Sequence, residues 1–244
     1  MNTILTIIKR ELKSYFSTPI ALIFLVVFLI LCGVFTFKLG GFYDQGEAEL
    51  RSFFMWHPWL YLFIIPAISM RLWAEEKRVG TIELLLTLPI KVEHAVIGKF
   101  IAAWLFIGFA LALTCPLVYT VNFLGDPDNG VILASYFGSF LMAGAYLAIG
   151  LALSATTKNQ VIAFVLTTTL CLFLIILGHE PVVDTLNRAL PSKLVDQLVN
   201  LSFPYHFEAI QRGVIDVRDF IYFIILISVN LVLSTVIVNN GKAE

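Results

Sequence analysis

The sequence predicts an all-α, polytopic membrane protein with six transmembrane helices, both termini in the cytoplasm and an N-terminal amphipathic helix at the interface. Three observations lead there. Of 244 residues, 59% are apolar and only 14% charged, and the mean hydropathy is +0.90; a soluble domain carries about 25% charged residues, because it must cover itself with surface that water tolerates. Six long stretches contain no Asp, Glu, Lys or Arg, and each is close to the roughly 20 apolar residues a helix needs to cross the hydrocarbon core. None of them shows the alternation of period two that marks a membrane β-strand. The composition also excludes a soluble enzyme and a disordered chain. A net charge of −1 gives no footing for nucleic acid.

The elements follow in order. In residues 1–19, Ile4, Leu5, Ile8, Leu12, Tyr15 and Phe16 recur at helical spacing with Lys9, Arg10 and Lys13 between them. That pattern is a basic amphipathic helix on the inner membrane surface, and Pro19 turns the chain into the bilayer. Span 1 covers residues 20–38; a polar leader precedes it and no small-residue cleavage site follows, so it reads as a retained span. Span 2 covers residues 52–72, with Pro58 and Pro66 able to kink it. Trp56 and Trp59 then lie near the outer interface and Trp73 near the inner one.

A cytoplasmic loop occupies residues 73–95. Its charged cluster Glu75, Glu76, Lys77 and Arg78 runs to Gly80, a helix stop because glycine readily takes positive φ. Thr81 caps a second short helix, with Glu83 in a first turn that the helix dipole favours. Leu84, Leu85, Leu86 and Leu88 make that helix apolar, and Pro89 ends it. So apolar a helix outside the bilayer calls for the membrane surface or a protein partner. Span 3 covers residues 96–124, with Pro116 as a kink, span 4 residues 130–155 and span 5 residues 159–178. Thr167, Thr168 and Thr169 place hydroxyls midway along span 5, facing another helix or a cavity. The outer loop, residues 179–219, is divided by Pro181, Pro191 and Pro204. It is expected to form two short amphipathic helices, one around Leu194, Val195, Leu198 and Val199, the other around Phe207, Ile210 and Val214 with Gly213 as terminator. Span 6 covers residues 220–240.

Orientation follows from the basic residues. Lys9, Arg10, Lys13, Arg71, Lys77, Arg78, Lys91, Lys99, Lys158 and Lys242, ten of the sixteen, fall on one side, which the positive-inside rule makes cytoplasmic. The chain has no Gly-x-x-x-x-Gly-Lys-[Ser/Thr] run to bind ATP. It has no His-Glu-x-x-His, no Gly-x-Ser-x-Gly and no Cys/His cluster at metal-ligand spacing. No catalytic residue, metal or cofactor is therefore expected in this chain. Cys32, Cys115 and Cys171 all fall inside spans, so no disulfide framework is implied. The spans lack the ionised residues that ion-coupled transporters keep at mid-membrane. A passive or externally powered membrane subunit remains.

The run MRLWAEEKRVGTIELLLTLPI, followed by GKF, resembles the cytoplasmic loop of ABC-2 type permeases. RELKSYFSTPIALIF, LSATTKNQVIAF and HFEAIQRGVIDVRDFIYF agree with the same family, so the resemblance extends over the whole chain. More narrowly it is similar to the branch of the gliding-motility-associated and nitrous-oxide-reductase maturation permeases. The resemblance implies a permease subunit of the cell's inner membrane, coupling ATP hydrolysis on a separate cytoplasmic ABC ATPase chain, which holds the ATP and Mg, to export or to mechanical work. It implies pairing with a second copy or a homologous permease, membrane lipid around the spans, and an accessory periplasmic or membrane-anchored protein. The loop would be the coupling helix that docks on the ATPase, with Glu75, Glu76, Gly80, Thr81, Glu83 and Pro89 at matching positions. Pro58, Pro66, Thr167, Thr168 and Thr169, on spans 2 and 5, would lie at the pathway or the dimer interface. The competing reading is a membrane scaffold or assembly factor for a periplasmic partner that transports nothing.

Overall fold

The structure, a computed structural model, describes residues 3–43, 49–83, 90–214 and 216–240. Those residues form helices and connecting turns, with no strand among them. Helix α1 is Thr3–Ser17 and α2 is Pro19–Val34, which runs on into a π-helical turn at Phe35–Leu39. Pro19 opens α2, at the position where its missing N–H leaves no bond unmade. The chain returns through α3 (Arg51–Phe54) and α4 (His57–Ser69) to the short α5 (Ala74–Val79). The third crossing is α6 (Val92–Ala112) and α7 (Cys115–Leu124), interrupted at Leu113 and Thr114 just before Pro116. Helix α8 is Asn129–Ser154, and Asp128 caps it by accepting hydrogen bonds from the N–H groups of Gly130 and Val131. Helix α9 (Gln160–Ile176) begins after a similar cap from Asn159. Three short helices follow, α10 (Glu180–Ala189), α11 (Ser192–Val199) and α12 (Phe203–Gln211), before α13 (Val217–Asn240).

Five of these stretches are long and apolar enough to cross a membrane: Pro19–Leu39, Arg51–Val79, Val92–Leu124, Asn129–Ser154 and Val217–Asn240. Helix α9 makes a sixth when taken with α10, from which it is bent by 73°. The all-α, multi-pass architecture expected from the sequence is therefore what the chain adopts. The outer loop differs from expectation in having three helices. Pro181 lies in the first turn of α10 and so starts a helix, where the sequence reading took it only as a divider.

The core sits between α4 and α8. Within an 18-residue window of each crossing, buried residues make up 83% for α8 and 72% for α3–α5, against 22% for α2 and for α13. Helix α8 packs against α13, α4, α12, α9 and α6, and thus forms the axis of the bundle. Small residues allow the close approaches. A Cβ on Gly150 would lie 2.0 Å from Ser69 Oγ on α4 and 3.2 Å from Thr167 Cγ2 on α9. Neutral hydrogen bonds join α4 to α8. Ser139 Oγ meets His57 Nδ1 at 2.8 Å and the Tyr61 hydroxyl at 2.6 Å, and the Tyr146 hydroxyl donates to the Pro58 carbonyl at 3.1 Å. In a bilayer such bonds keep polar side chains off the lipid and fix the register of two helices.

Candidate functional site

The candidate surface lies where the chain leaves α4. Trp73 and Ala74 open α5, and their N–H groups have no partner within it. Ser154 Oγ, at the end of α8, accepts from both, at 3.0 and 3.1 Å, and its hydroxyl lies 3.3 Å from the Met70 carbonyl. One side chain thus satisfies two orphan donors of a helix start from across the bundle. Lys77 Nζ donates to the Ala155 carbonyl, a second tie to the same end of α8.

The other side of α5 is held by charge. Lys99 is only 3% exposed, yet its ammonium lies 2.7 Å from Glu76 Oε1 and 3.4 Å from Glu11 Oε1. Its Nζ also sits 5.2 Å above the ring of Trp73, which is fully buried. A buried ammonium needs such partners, because desolvation of an unpaired charge costs several kcal/mol. Burial pushes the Glu11 carboxyl up, but Lys99 and Arg10 outweigh it and hold the group below its ordinary value.

Helix α1 reaches this cluster by running along α6 in step with it. Ile7 packs on Gly98, where a Cβ would come within 2.7 Å of Ile7 Cγ2. Glu11 meets Lys99, and Tyr15 stacks on Phe106 with ring centroids 5.2 Å apart. Phe16 continues onto Phe106 and Phe109.

The far end of α5 is free of these ties. Gly80 takes φ of +80° and turns the chain, as a helix-terminating glycine should. Residues 78–81 are exposed, Val79 among them at 63%, and so is Glu83. Helical backbone resumes at residues 81–83. Thr81 Oγ1 lies 3.5 Å from the Glu76 carbonyl, back toward α5. The expected apolar helix through Leu84–Leu88, and Pro89, lie outside the described residues.

The residues expected to carry coupling therefore separate into two groups. Glu76 belongs to the anchored root, with its side chain 20% exposed against Lys99. Glu75, 44% exposed and 3.9 Å from Arg78, lies with Gly80, Thr81 and Glu83 on the open side. The residues expected at a pathway or dimer interface are also divided. Pro58, Pro66 and Thr167 are buried within the chain, and Thr167 Oγ1 donates to the Ala163 carbonyl at 2.7 Å. Thr168 is half-buried and its hydroxyl meets no partner among the described residues, while Thr169 is exposed beside Leu170 and Phe173.

Sequence reasoning missed Glu11, Lys99 and Ser154 as site residues. Glu11 had a local signal, since it lies four residues from both Ile7 and Tyr15 and so falls on the packed stripe of α1. Trp73, expected near the inner interface, is enclosed within the chain beneath Lys99.

At the opposite face, His206 Nδ1 lies 2.6 Å from Asp219 Oδ1 and Nε2 lies 2.9 Å from the Asn200 carbonyl oxygen, and the ring stacks on Tyr222. This knot pins α12 to the start of α13. Among the described residues no group of three or more His, Cys, Asp or Glu is arranged to hold a metal ion.

The model of the family described as ABC-2 family transporter protein matches residues 50–195, well over half of the chain. No curated protein matches it.

Proposed function

This chain belongs to the ABC-2 transporter family, and we propose that it is the permease half-unit of a complex energised by a separate cytoplasmic ABC ATPase. The observation that carries the reading is the contrast within one loop. The root of α5 is fixed to α8 by Ser154 and to α6 by the Lys99 ion pairs, while its tip beyond Arg78 is exposed. A lever needs both: a surface that a partner can grip and a root that passes displacement into the membrane helices.

On this reading Glu75, Gly80, Thr81 and Glu83 face the ATPase, together with Pro89, and Glu76 transmits. The ATPase supplies ATP and Mg. A second permease, a copy or a homologue, completes the pathway, and Pro58, Pro66 and Thr167–Thr169 lie on the helices that move. The termini face the cytoplasm of a cell with this chain in its inner membrane, and the work done is export or mechanical transmission to a periplasmic or membrane-anchored accessory protein. The closer likeness to the gliding-motility-associated and nitrous-oxide-reductase maturation permeases belongs to the same proposal.

The test is a mild-detergent pull-down of the tagged chain from its native membranes, with Glu83→Arg as the tip variant. An ABC ATPase in about equal amount with the wild-type chain, and its loss with Glu83→Arg while the variant still elutes as a folded species, supports the assignment. A wild-type chain that co-purifies with no ATPase would overturn it.

A further inference from the structure

A cavity of about 370 Å³ opens where the start of α3, the first turns of α8 and the end of α12 meet. It lies at the opposite end of α8 from Ser154 and the root of α5. Its size falls within the range of small-molecule sites. Gly213 helps to build it. At φ of +77° it turns the chain out of α12, so close to α8 that a Cβ would come within 2.9 Å of Val131 Cγ2.

The polar groups of this cavity are graded by depth. The deepest are neutral, with Ser135 2% exposed and Gln211 9%. Neither side chain hydrogen-bonds any described residue, and neither is shut off from solvent as the Ser52 hydroxyl is, so both face the open volume. The charges stand at the rim, where Glu49, Arg51, Asp128 and Arg212 are all exposed. They balance one another. Arg212 is met by Glu208 at 3.3 Å, and Asp128 Oδ1 takes the N–H groups of Gly130 and Val131. Glu49 and Arg51 carry opposite signs two residues apart. No excess of either charge calls for an ionic ligand. The remaining wall is apolar, with Leu50, Phe54 and Ile132.

Each feature narrows the ligand. A hydroxyl and a primary amide both donate and accept, and a buried one is costly while unmatched. A ligand that matches the pair carries groups that also do both. Hydroxyls do; a carboxylate only accepts and an ammonium only donates. To lie against Phe54 and Ile132 the ligand must also present a face of C–H groups. A pyranose ring has that face and a rim of hydroxyls, which can accept from the guanidinium groups at the mouth and donate to the carboxylates. We propose that this cavity binds a neutral pyranose sugar unit, with its hydroxyls on Ser135 and Gln211 and its C–H face on Phe54 and Ile132. The site is complete within one chain and does not depend on any ATPase.

The purified full chain is placed in lipid nanodiscs free of sugar-headed detergent and titrated by saturation-transfer NMR with the methyl glycosides of glucose, galactose and mannose. Glucuronate, glucosamine and N-methylacetamide serve as anionic, cationic and amide comparators. The expected result is saturable binding of at least one neutral glycoside, with no comparator bound more tightly. Gln211→Leu keeps the bulk and removes the amide, and lowers the affinity about tenfold. Lys158→Gln, at an exposed side chain beyond the other end of α8, leaves it unchanged. Absence of saturable sugar binding means that water alone fills the cavity and overturns the proposal, as does tighter binding of a comparator or full affinity in Gln211→Leu. Singly deoxygenated glycosides on the wild-type chain need no variant: an affinity drop of about tenfold at particular hydroxyls supports the contacts, and a flat series refutes them. A trisaccharide bound more tightly than the monosaccharide marks the end of a glycan as the source and equal affinity marks the free sugar, and either supports the pyranose assignment.

Discussion

Replacing Lys99 by Met tests the charge cluster most directly. The change keeps the length of the stem and removes the one cation that serves two carboxylates, Glu76 at 2.7 Å and Glu11 at 3.4 Å. Breaking a buried pair by deleting one partner costs about 3–5 kcal/mol, because a charge is left without compensation. The carboxylates here are 20% and 15% exposed, so water reaches them in part, and about 3 kcal/mol is the figure to expect. The sign of the double variant is more telling than the size of the single one. Glu76→Gln alone weakens one charge-assisted bond and leaves Lys99 on Glu11, a loss of about 1–2 kcal/mol. Added to Lys99→Met, the same substitution removes a stranded charge and restores stability by about 1–2 kcal/mol. Adding Glu11→Gln as well removes the last carboxylate of the cluster and brings the chain close to wild type, since the Arg10 charge it leaves behind is 59% exposed and solvated. Thermal unfolding in detergent, followed by tryptophan fluorescence, reads the wild type and all four variants, and Trp73 lies directly beneath the substituted atom. If Glu76→Gln lowered stability equally in the wild-type and Lys99→Met backgrounds, the two residues would be uncoupled and the reasoning refuted.

Two further outcomes follow from the same geometry. Glu11 has its folded-state pKa below the ordinary value of 4.5, so its contribution is complete above that value and disappears as pH falls through the folded one. The melting-temperature advantage of the wild-type chain over Glu11→Gln should therefore be constant at neutral pH and shrink as pH falls below 4.5; an advantage that does not change with pH contradicts the pairing. Gly150→Ala places a Cβ 2.0 Å from Ser69 Oγ and 2.6 Å from Ser69 Cβ, an overpacking cost of about 1–3 kcal/mol. Ser69→Gly in the same chain should restore most of it in a thermal melt. No rescue would mean that α4 and α8 are not held at this distance.

The fold class could be read from the sequence because a membrane imposes one strong rule: uncharged apolar runs of sufficient length must be helical. Pairings across the bundle leave no such mark. Lys99 counts as one more basic residue on the positive side until α1 folds back along α6 and brings Glu11, 88 residues earlier, to its ammonium. Glu76 sits in a run of four charged residues, which sequence alone does not divide between the bundle and the open side. The structure splits that run by helical phase, turning Glu76 and Lys77 to the bundle and Arg78 outward. Gly80 was legible for the opposite reason, since its left-handed turn depends on nothing beyond its own backbone.

The two anchors of α5 differ in kind, and on the proposed function that difference bears on how the helix would move. The α8 side is held by hydrogen bonds from two successive N–H groups to one hydroxyl, with Lys77 on the adjoining carbonyl. Such bonds weaken steeply with angle and distance, so α5 cannot slide there without losing them together. The α6 side is held by a lysine ammonium, which has three donors on a flexible stem and no preferred plane. It can trade Glu76 for Glu11 over a short path while remaining paired. On the proposed lever reading, a displacement at the tip of α5 would be carried rigidly into α8, the buried axis of the bundle, and more compliantly into α6 and the N-terminal helix. Stiffness toward the core and give toward the rim is the arrangement a lever requires if it is to move α8 without tearing the surface helix from α6.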